Sequence, residues 1–178
     1  MKIAFTGTHG TGKTTLTYDV SAALKKKSYD VGTVTEIARN CPFPINEDTT
    51  EESQLWISLN MINKELEAQQ KYKHIICNRS LLDAYAYTLN ILPKVNKPGI
   101  FSYLFDYWVK TYDLLLYAPI RYGLQRDMIR SSDKEFQIKI DDIVKRILNK
   151  HRIEFFEIPE KDSIDFIIAL FQSKLKKK

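Results

Sequence analysis

The octapeptide Gly7 to Thr14 constrains the fold of this chain more than any other part of its sequence. It reads G-T-H-G-T-G-K-T and fits the pattern G-x-x-x-x-G-K-[ST]. The apolar run Lys2 to Thr6 before it is typical of a buried strand. After it, apolar residues recur at helical spacing, namely Leu16, Val20, Ala23 and Leu24. The pattern therefore predicts a strand, a glycine-rich turn and a helix, in that order.

The residue types in this loop suit the phosphates of a nucleoside triphosphate. Its glycines let the backbone curl so that successive N–H groups face a phosphate at the positively polarised start of the helix. Lys13 is expected to reach the β- and γ-phosphates, and the Thr14 hydroxyl to bind Mg²⁺ together with Glu36. His9 occupies a variable position and is given no role. We therefore predict an ATP and Mg²⁺ site formed by Gly7, Gly10, Thr11, Gly12, Lys13, Thr14 and Thr15.

Strand-like and helix-like segments alternate along the chain. The strand-like runs are Lys2 to Thr6, Val31 to Glu36, His74 to Asn78, Asp113 to Tyr117 and Ile153 to Ile158. Capping-box spacings at Thr49 to Glu52 and at Ser132 to Glu135 predict the starts of two intervening helices. The alternation implies right-handed βαβ units, so we predict a three-layer α/β fold: a five-stranded, mostly parallel sheet with helices on both faces. Residues 1–178 are expected to form a single domain.

The composition of the chain limits the class of protein, the location and the partners that we expect. Apolar residues make up 44% of the chain and charged residues 28%, as in ordinary globular proteins. The two cysteines are too few for a disulfide framework, and no secretory leader is recognisable, so a cytoplasmic location is expected. No apolar run is long enough to span a bilayer, so no membrane partner is expected. The net charge of +5 includes a lysine-rich last turn, usually a solvated helix end, so a nucleic-acid partner is not favoured.

Two large classes of nucleotide-binding protein fit the rest of the sequence poorly. Guanine-binding proteins carry D-x-x-G and N-K-x-D, whereas Asn96-Lys97-Pro98-Gly99 lacks the aspartate and no D-x-x-G occurs. Motor and remodelling ATPases end a strand in an acidic pair, whereas this chain has Asn78-Arg79-Ser80 at that place. The chain is also too short for the usual lid domain of such ATPases.

The remaining pattern resembles the small P-loop kinases: thymidylate kinases, deoxynucleoside kinases and the related family with the nicotinamide riboside kinase domain. The resemblance runs from the first to the fifth predicted strand and implies the P-loop NTPase fold. In these kinases an acid ends the second strand, matched here by Glu36 in Thr35-Glu36-Ile37-Ala38-Arg39. They carry Asp/Glu-Arg-Ser after the third strand, matched by Asn78-Arg79-Ser80. They also have an arginine-bearing lid, matched by residues 119–132 with Arg121, Arg126 and Arg130.

Asn78 departs from this resemblance, because the family usually has an acid there. A neutral amide can accept a hydrogen bond from a metal-bound water but cannot take a proton from a hydroxyl. We therefore expect Glu36 to orient or deprotonate the acceptor, unless it is only a surface glutamate at a strand end. Arg79 either binds phosphate or the acceptor bidentately or forms a structural ion pair, and Asp83 is expected to pair with a nearby arginine. The predicted catalytic residues are Lys13, Glu36, Arg79, Arg126 and Arg130.

An aromatic helical stripe has two interpretations. Its members are expected to be ordinary core, although they also suit the wall of a pocket for a base. They are Phe101, Phe105, Tyr107 and Trp108.

These observations favour an enzyme that transfers the γ-phosphoryl of ATP, with Mg²⁺, to a small nucleoside, nucleotide or related acceptor. Two other functions stay open. One is a polynucleotide 5′-kinase, which a basic groove leading to the phosphate loop would favour. The other is an ATP-binding regulatory protein with weak ATPase activity, for which Asn78 is the relevant feature. The identity of the acceptor and the oligomeric state are not encoded in any local pattern.

Overall fold

Strands and helices alternate in the computed structural model, which describes residues 1–121 and 133–176. The strands are β1 Lys2–Thr6, β2 Val31–Val34, β3 His74–Asn78, β4 Leu114–Tyr117 and β5 Phe156–Glu157. The helices are α1 Lys13–Lys26, α2 Glu51–Lys71, α3 Leu81–Asn90, α4 Pro98–Trp108, α5 Lys134–Lys150 and α6 Ser163–Leu175. Short 3₁₀ turns cover Ile37–Asn40, Asn46–Asp48, Leu92–Lys94 and Val109–Thr111.

The five strands form one sheet in the order β2-β3-β1-β4-β5, and all pairings between them are parallel. The predicted α/β fold is confirmed. β1 lies at the centre, with Phe5 beside Asn78 of β3 and Thr6 beside Tyr117 of β4. Because parallel strands end at the same edge, the segments that follow β1, β3 and β4 meet there. β2 and β5 are shorter than predicted, and Glu36 therefore lies two residues beyond its strand.

Alternate residues of β1 belong to two apolar layers, one on each face of the sheet. Ile3 and Phe5 belong to the layer that α1 and α6 cover. Ala4 belongs to the layer formed with α3, α4 and α5. All three side chains are fully buried, which explains why β1 reads as a continuous apolar run. The predicted three-layer arrangement is thus present in the described residues.

Two helices begin at residues other than those predicted. At α2 the N-cap is Thr50, whose hydroxyl accepts from the N–H of Ser53 at 3.3 Å while its own N–H donates to the Ser53 hydroxyl at 3.1 Å. At α5 the N-cap is Asp133, whose carboxylate accepts from the N–H groups of Glu135 and Phe136. Serine, threonine and aspartate are all favoured as N-caps. Each segment has two such residues side by side, so the sequence pattern did not decide which of them begins the helix.

The aromatic stripe of α4 is mainly core. Phe101, Phe105 and Trp108 are buried, whereas Tyr107 is 66% exposed. Trp108 donates its indole N–H to the buried Glu65 at 2.8 Å, and the ammonium group of Lys2 forms a 2.9 Å salt bridge with the same carboxylate. This buried polar network was not predicted from the sequence. In the described part of the chain, no helix has the length and apolar character needed to cross a bilayer.

Candidate active site

The loop between β1 and α1 has the backbone geometry that its glycines were expected to supply. Gly7, Gly10 and Gly12 all have positive φ, of 132°, 75° and 81°. A Cβ added to Gly7 would lie 2.6 Å from the carbonyl oxygen of Ala118, so a side chain is excluded by space as well as by conformation. A Cβ added to Gly12 would meet no atom within 4 Å, so the backbone at the start of α1 is open to a ligand.

Asp83, in the first turn of α3, holds the start of this loop. Its carboxylate accepts from the N–H of Gly7 at 2.8 Å and from the Thr6 hydroxyl at 3.1 Å. The other carboxylate oxygen accepts from the N–H of Ser80 at 2.7 Å. The expectation of a structural role agrees with these contacts, but the hydrogen-bond partners are backbone and hydroxyl groups rather than an arginine. Asp83 thereby links the chain after β3 to the chain after β1.

Lys13 and Thr14 lie at the first two positions of α1. The Lys13 side chain is buried over the loop, where its ammonium group donates to the Thr11 hydroxyl at 3.0 Å and to the carbonyl oxygen of Thr8. The Thr14 hydroxyl accepts from the side-chain amide of Asn78 at 3.1 Å. Asn78 therefore touches the hydroxyl that was predicted to bind Mg²⁺, although its own role stayed open in the sequence. Thr15 is exposed.

Glu36 forms a bridge between two arginines. One carboxylate oxygen accepts from Nε of Arg79 at 2.8 Å, and the other from Nε of Arg39 at 3.1 Å. The Glu36 side chain is only 10% exposed, which argues against an ordinary surface glutamate. Burial raises the pKa of Glu36, but the positive charges of Arg79, Lys13 and Arg39 outweigh it and lower the pKa to about 2. Glu36 is therefore fully ionised at neutral pH.

Arg79 lies on the short turn between β3 and α3 with φ of 95°, a conformation that non-glycine residues rarely adopt. Burial alone would lower the pKa of its guanidinium, but the charge of Glu36 reverses that effect and raises it. One terminal nitrogen, Nη1, is buried and has no hydrogen-bond partner among the described residues. Burying a guanidinium N–H without an acceptor costs free energy, and so does the rare backbone conformation that holds it there. Together these two features point to an anionic ligand at Nη1.

Two neighbouring cavities meet at Glu36 and Arg79. The smaller, of about 220 Å³, is lined by the phosphate loop from Gly10 to Thr14 and by Asn78. The larger, of about 550 Å³ counted to its open mouth, has mainly apolar walls. Its other lining residues are His9, Ala38, Arg39, Ile45, Asn46, Gln54, Ile57, Met61, Asp83, Ala84 and Tyr87. Both volumes share the Glu36 and Arg79 side chains, which therefore stand between a polar compartment and an apolar one.

His9 has contacts that the sequence did not predict. Its ring nitrogen Nδ1 lies 3.2 Å from the Tyr87 hydroxyl of α3, and its ring stacks on Phe136 of α5 with a centroid distance of 5.8 Å. Its carbonyl oxygen accepts from the side chain of Gln137 at 2.8 Å. The loop is thus attached to two helices through a position that its sequence pattern leaves variable.

The predicted lid arginines are only partly described. Arg121 donates to the carbonyl oxygens of Ile158 and Pro159, which attaches the chain after β4 to the chain after β5. Arg126 and Arg130 lie outside the described residues, as does most of the predicted lid at 119–132. Within the described part of the chain, Lys13, Glu36, Arg79 and Asn78 come together at one edge of the sheet.

Comparison with known proteins agrees with this architecture. A family model described as an AAA domain matches residues 2–165. No curated protein sequence gives a significant match. The deoxyadenosine kinase of M. mycoides with bound dATP has a TM-score of 0.67 at 19% identity, over 97% of this chain and 99% of that chain.

Thymidylate kinases show the same likeness. That of Candida albicans has a TM-score of 0.66 at 16% identity and covers 99% of this chain and 91% of its own. That of Ehrlichia chaffeensis has a TM-score of 0.65 at 20% identity and covers 98% of each chain. At such identities the likeness establishes the fold. The chain therefore belongs to the AAA-domain family and has the P-loop fold of these deoxyadenosine and thymidylate kinases.

Proposed function

We propose that this protein transfers the γ-phosphoryl group of ATP, with Mg²⁺, to a small nucleoside, nucleotide or related acceptor. The observation that carries the proposal is the shared wall of the two cavities. Glu36 and Arg79 line both the phosphate-loop compartment and the larger apolar compartment. Two substrates bound in these compartments would meet at that wall, and phosphoryl transfer requires chiefly such positioning and charge stabilisation.

The described residues suit a triphosphate and a magnesium ion. The positive φ values and the open space at Gly12 expose backbone N–H groups at the start of α1, and the Lys13 ammonium lies over the same loop. The Thr14 hydroxyl and the Glu36 carboxylate would supply oxygen ligands, which Mg²⁺ prefers, and few protein ligands would suffice because this ion usually keeps several waters. When bound, Mg²⁺ would neutralise charge on the β- and γ-phosphates.

Glu36 is proposed to orient the hydroxyl of the acceptor rather than to remove its proton before the phosphoryl group is transferred. A carboxylate with a pKa of about 2 is a weak base, so its proton affinity contributes little at neutral pH. Its oxygens can still accept a hydrogen bond from an acceptor hydroxyl and fix the direction of attack. Arg79 is proposed to bind the transferred group through its unpaired Nη1. Arg126 and Arg130 stay predicted lid residues that act on the same charge.

The larger compartment is proposed to hold the acceptor. Its walls include the buried side chains of Ile57, Met61 and Tyr87, which suit a flat, partly apolar group such as a nucleobase. Gln54, only 3% exposed, adds an amide to this lining, and its Nε2 donates to the Thr49 hydroxyl at 2.6 Å. A fixed amide beside apolar walls is the kind of group that recognises the polar edge of a base. The structurally similar deoxyadenosine and thymidylate kinases support this class of acceptor.

The regulatory alternative rests on Asn78, which supplies no negative charge near the metal site. Its amide donates to Thr14 and so positions a metal ligand, which a transfer enzyme also needs. This contact suits either function, and the second compartment beside the phosphate loop favours the kinase. The alternative predicts nucleotide binding with no transfer to any small acceptor.

The proposal is tested by a transfer screen with γ-labelled ATP across nucleosides, nucleotides, nicotinamide riboside and 5′-hydroxyl oligonucleotides. We expect label on a nucleoside or nucleotide and none with a Lys13→Met variant. In a Met61→Trp variant the bulky side chain should fill the larger compartment, so the KM for the acceptor should rise at least about tenfold while ATP binding stays unchanged. Label only on oligonucleotides, or ATP binding without any transfer, would exclude the proposed acceptor class.

A further inference from the structure

The fold brings together lysines from distant parts of the chain, at the edge of the sheet opposite the phosphate loop. Lys25 and Lys26 end α1, Lys27 is its C-cap, and Lys73 immediately precedes β3. Lys176 follows the last residue of α6. Because all strands are parallel, segments that precede strands lie at the opposite edge from segments that follow them. We refer to these five exposed lysines as the basal lysine cluster.

Contacts between neighbouring aromatic rings join these segments. The ring of Tyr29, two residues after Lys27, lies 5.0 Å from that of Phe171 in α6. The ring of His74, next to Lys73, also lies 5.0 Å from Phe171. Tyr29 and Lys176 line one surface cavity together with Gln172 and Leu175. The three lysine-bearing segments therefore surround one aromatic contact, which fixes their relative positions.

The five members of the basal lysine cluster outnumber the three carboxylates in the loops that precede the strands at this edge, Asp30, Asp113 and Glu154. Among the described residues, none of its five members takes part in an ion pair. The neighbouring Asp30 accepts from the backbone N–H of Lys73, and Glu154 pairs with Lys174, which is not part of the cluster. A helix carboxyl end corresponds to about half a negative charge, so three lysines at the end of α1 exceed what its dipole neutralises.

The charge pattern of the sequence did not favour a nucleic-acid partner, but the fold brings lysines from three segments together, and we propose that the basal lysine cluster binds the phosphate backbone of a nucleic acid at a surface separate from the transfer site. Lysine ammonium groups act as point charges on phosphates, so the contact should be strongly salt-dependent and independent of base sequence. An anionic membrane is a poorer match, because electrostatic attachment needs a second, apolar anchor. Among the described residues, the exposed large apolar side chain next to the cluster in the sequence is Tyr72, and a single ring does not form an apolar surface large enough to insert into a membrane.

The test measures binding of the full chain to a fluorescent single strand of about 20 nucleotides by anisotropy, over a range of salt concentrations. A K25Q/K26Q/K27Q variant removes the α1 part of the cluster. A charge-matched K94Q/K97Q/K139Q variant removes three exposed lysines elsewhere. We expect the first variant to lose at least about tenfold in affinity at low salt and about 2 units of the slope of log K against log salt. The control should stay within about twofold of wild type.

Two further measurements keep the proposal falsifiable. Thermal unfolding and ATP binding of both variants should match wild type, which separates lost contacts from lost folding. Absence of oligonucleotide binding by the wild type at low salt would overturn the proposal. Equal losses in the two variants would also overturn it, because total charge rather than this surface would then explain binding. Tighter binding to phosphatidylserine vesicles than to the oligonucleotide would assign the surface to lipid instead.

Discussion

The carboxylate of Asp83 accepts a hydrogen bond of 2.8 Å from the backbone N–H of Gly7, across 76 residues of sequence. Its second oxygen accepts from the N–H of Ser80, so one buried side chain fixes both the start of the phosphate loop and the start of α3. Each oxygen faces donors, and an amide cannot reproduce that arrangement because one of its two ends is itself a donor.

Asp83→Asn should therefore destabilise the protein and weaken nucleotide binding together. Either the donors of Gly7 and Thr6 or the N–H of Ser80 would lose their acceptor, and leaving a buried donor unsatisfied costs about 1–3 kcal/mol. For a chain of this size each kcal/mol lowers the unfolding midpoint by about 2–4 °C, so the midpoint should fall by roughly 2–12 °C. Differential scanning calorimetry and ATP titration measure both effects. Asp19→Asn, at an exposed position of α1, is the control, and equal stability of the two variants would contradict the role of Asp83.

Lys13→Met should abolish phosphoryl transfer with little loss of stability. The Lys13 ammonium donates to the Thr11 hydroxyl and the Thr8 carbonyl oxygen of its own loop, and methionine keeps the length of the side chain. We expect turnover to fall at least about 10²-fold because the positive charge on the transferred group is lost. Lys25→Met, at the other end of α1, is the matched control. Near-normal turnover in Lys13→Met would exclude a phosphate-binding role for this loop.

Glu36→Gln should lower kcat by about 10²-fold while changing ATP affinity little. Glutamine can accept one hydrogen bond but cannot carry the charge that holds Arg79 and Arg39 on either side of it. The acceptor and the arginines should then be misaligned. Steady-state kinetics with ATP and acceptor varied separately measure the effect, with the exposed Glu160→Gln as control. A raised KM for ATP with normal kcat would place Glu36 outside the transfer step.

The pH dependence separates orientation from proton abstraction by Glu36. Because the folded state lowers the pKa of this carboxyl from 4.5 to about 2, its contribution to stability is complete above about pH 4.5 and is lost as the pH falls toward 2. Glu36 should therefore add no acidic limb to the kcat profile above about pH 5. If kcat instead falls on the acidic side above about pH 5 in the wild type but not in Glu36→Gln, Glu36 acts as a base whose pKa is much higher.

Asn78→Asp should lower the Mg²⁺ concentration needed for half-maximal turnover, because it adds negative charge beside the Thr14 hydroxyl. Asn78→Ala removes the donor to Thr14 and should raise that concentration. Magnesium titrations of turnover compare the two variants. Loss of all transfer in Asn78→Asp alone would show that the amide itself is required.

The fold could be predicted because the signals for it are local. β1, β3 and the phosphate loop are continuous in sequence, and each carries a periodicity or a glycine spacing that has one physical meaning. The first residues of the helices were harder to predict, because Thr50, Ser53 and Asp133 have polar neighbours that suit the same capping role. The two-residue β5 was overestimated, because apolar residues beyond a strand continue its pattern without forming its hydrogen bonds.

The partners within the site could not be predicted in the same way. Asn78 and Thr14 are 64 residues apart, and Arg79 and Glu36 are 43 apart, so no spacing in the sequence relates them. Sequence alone brought Glu36 and Arg79 to the correct edge of the sheet but left their pairing open. His9 gave no signal, because a variable loop position reveals nothing about the helices that will pack against it.

The strand order also has a consequence for how the protein is made. β1 precedes both of its sheet neighbours, β3 and β4, in the sequence, and the N–H of Ala118 can donate to the carbonyl oxygen of Thr6 only after residue 118 has been synthesised. Pairings between distant segments form slowly, because chain entropy must be lost before any contact compensates for it. One side of β1 therefore lacks its sheet neighbour until β4 emerges, even after β3 has paired with the other side, and we expect this interval to be the one in which the nascent chain is most prone to aggregation.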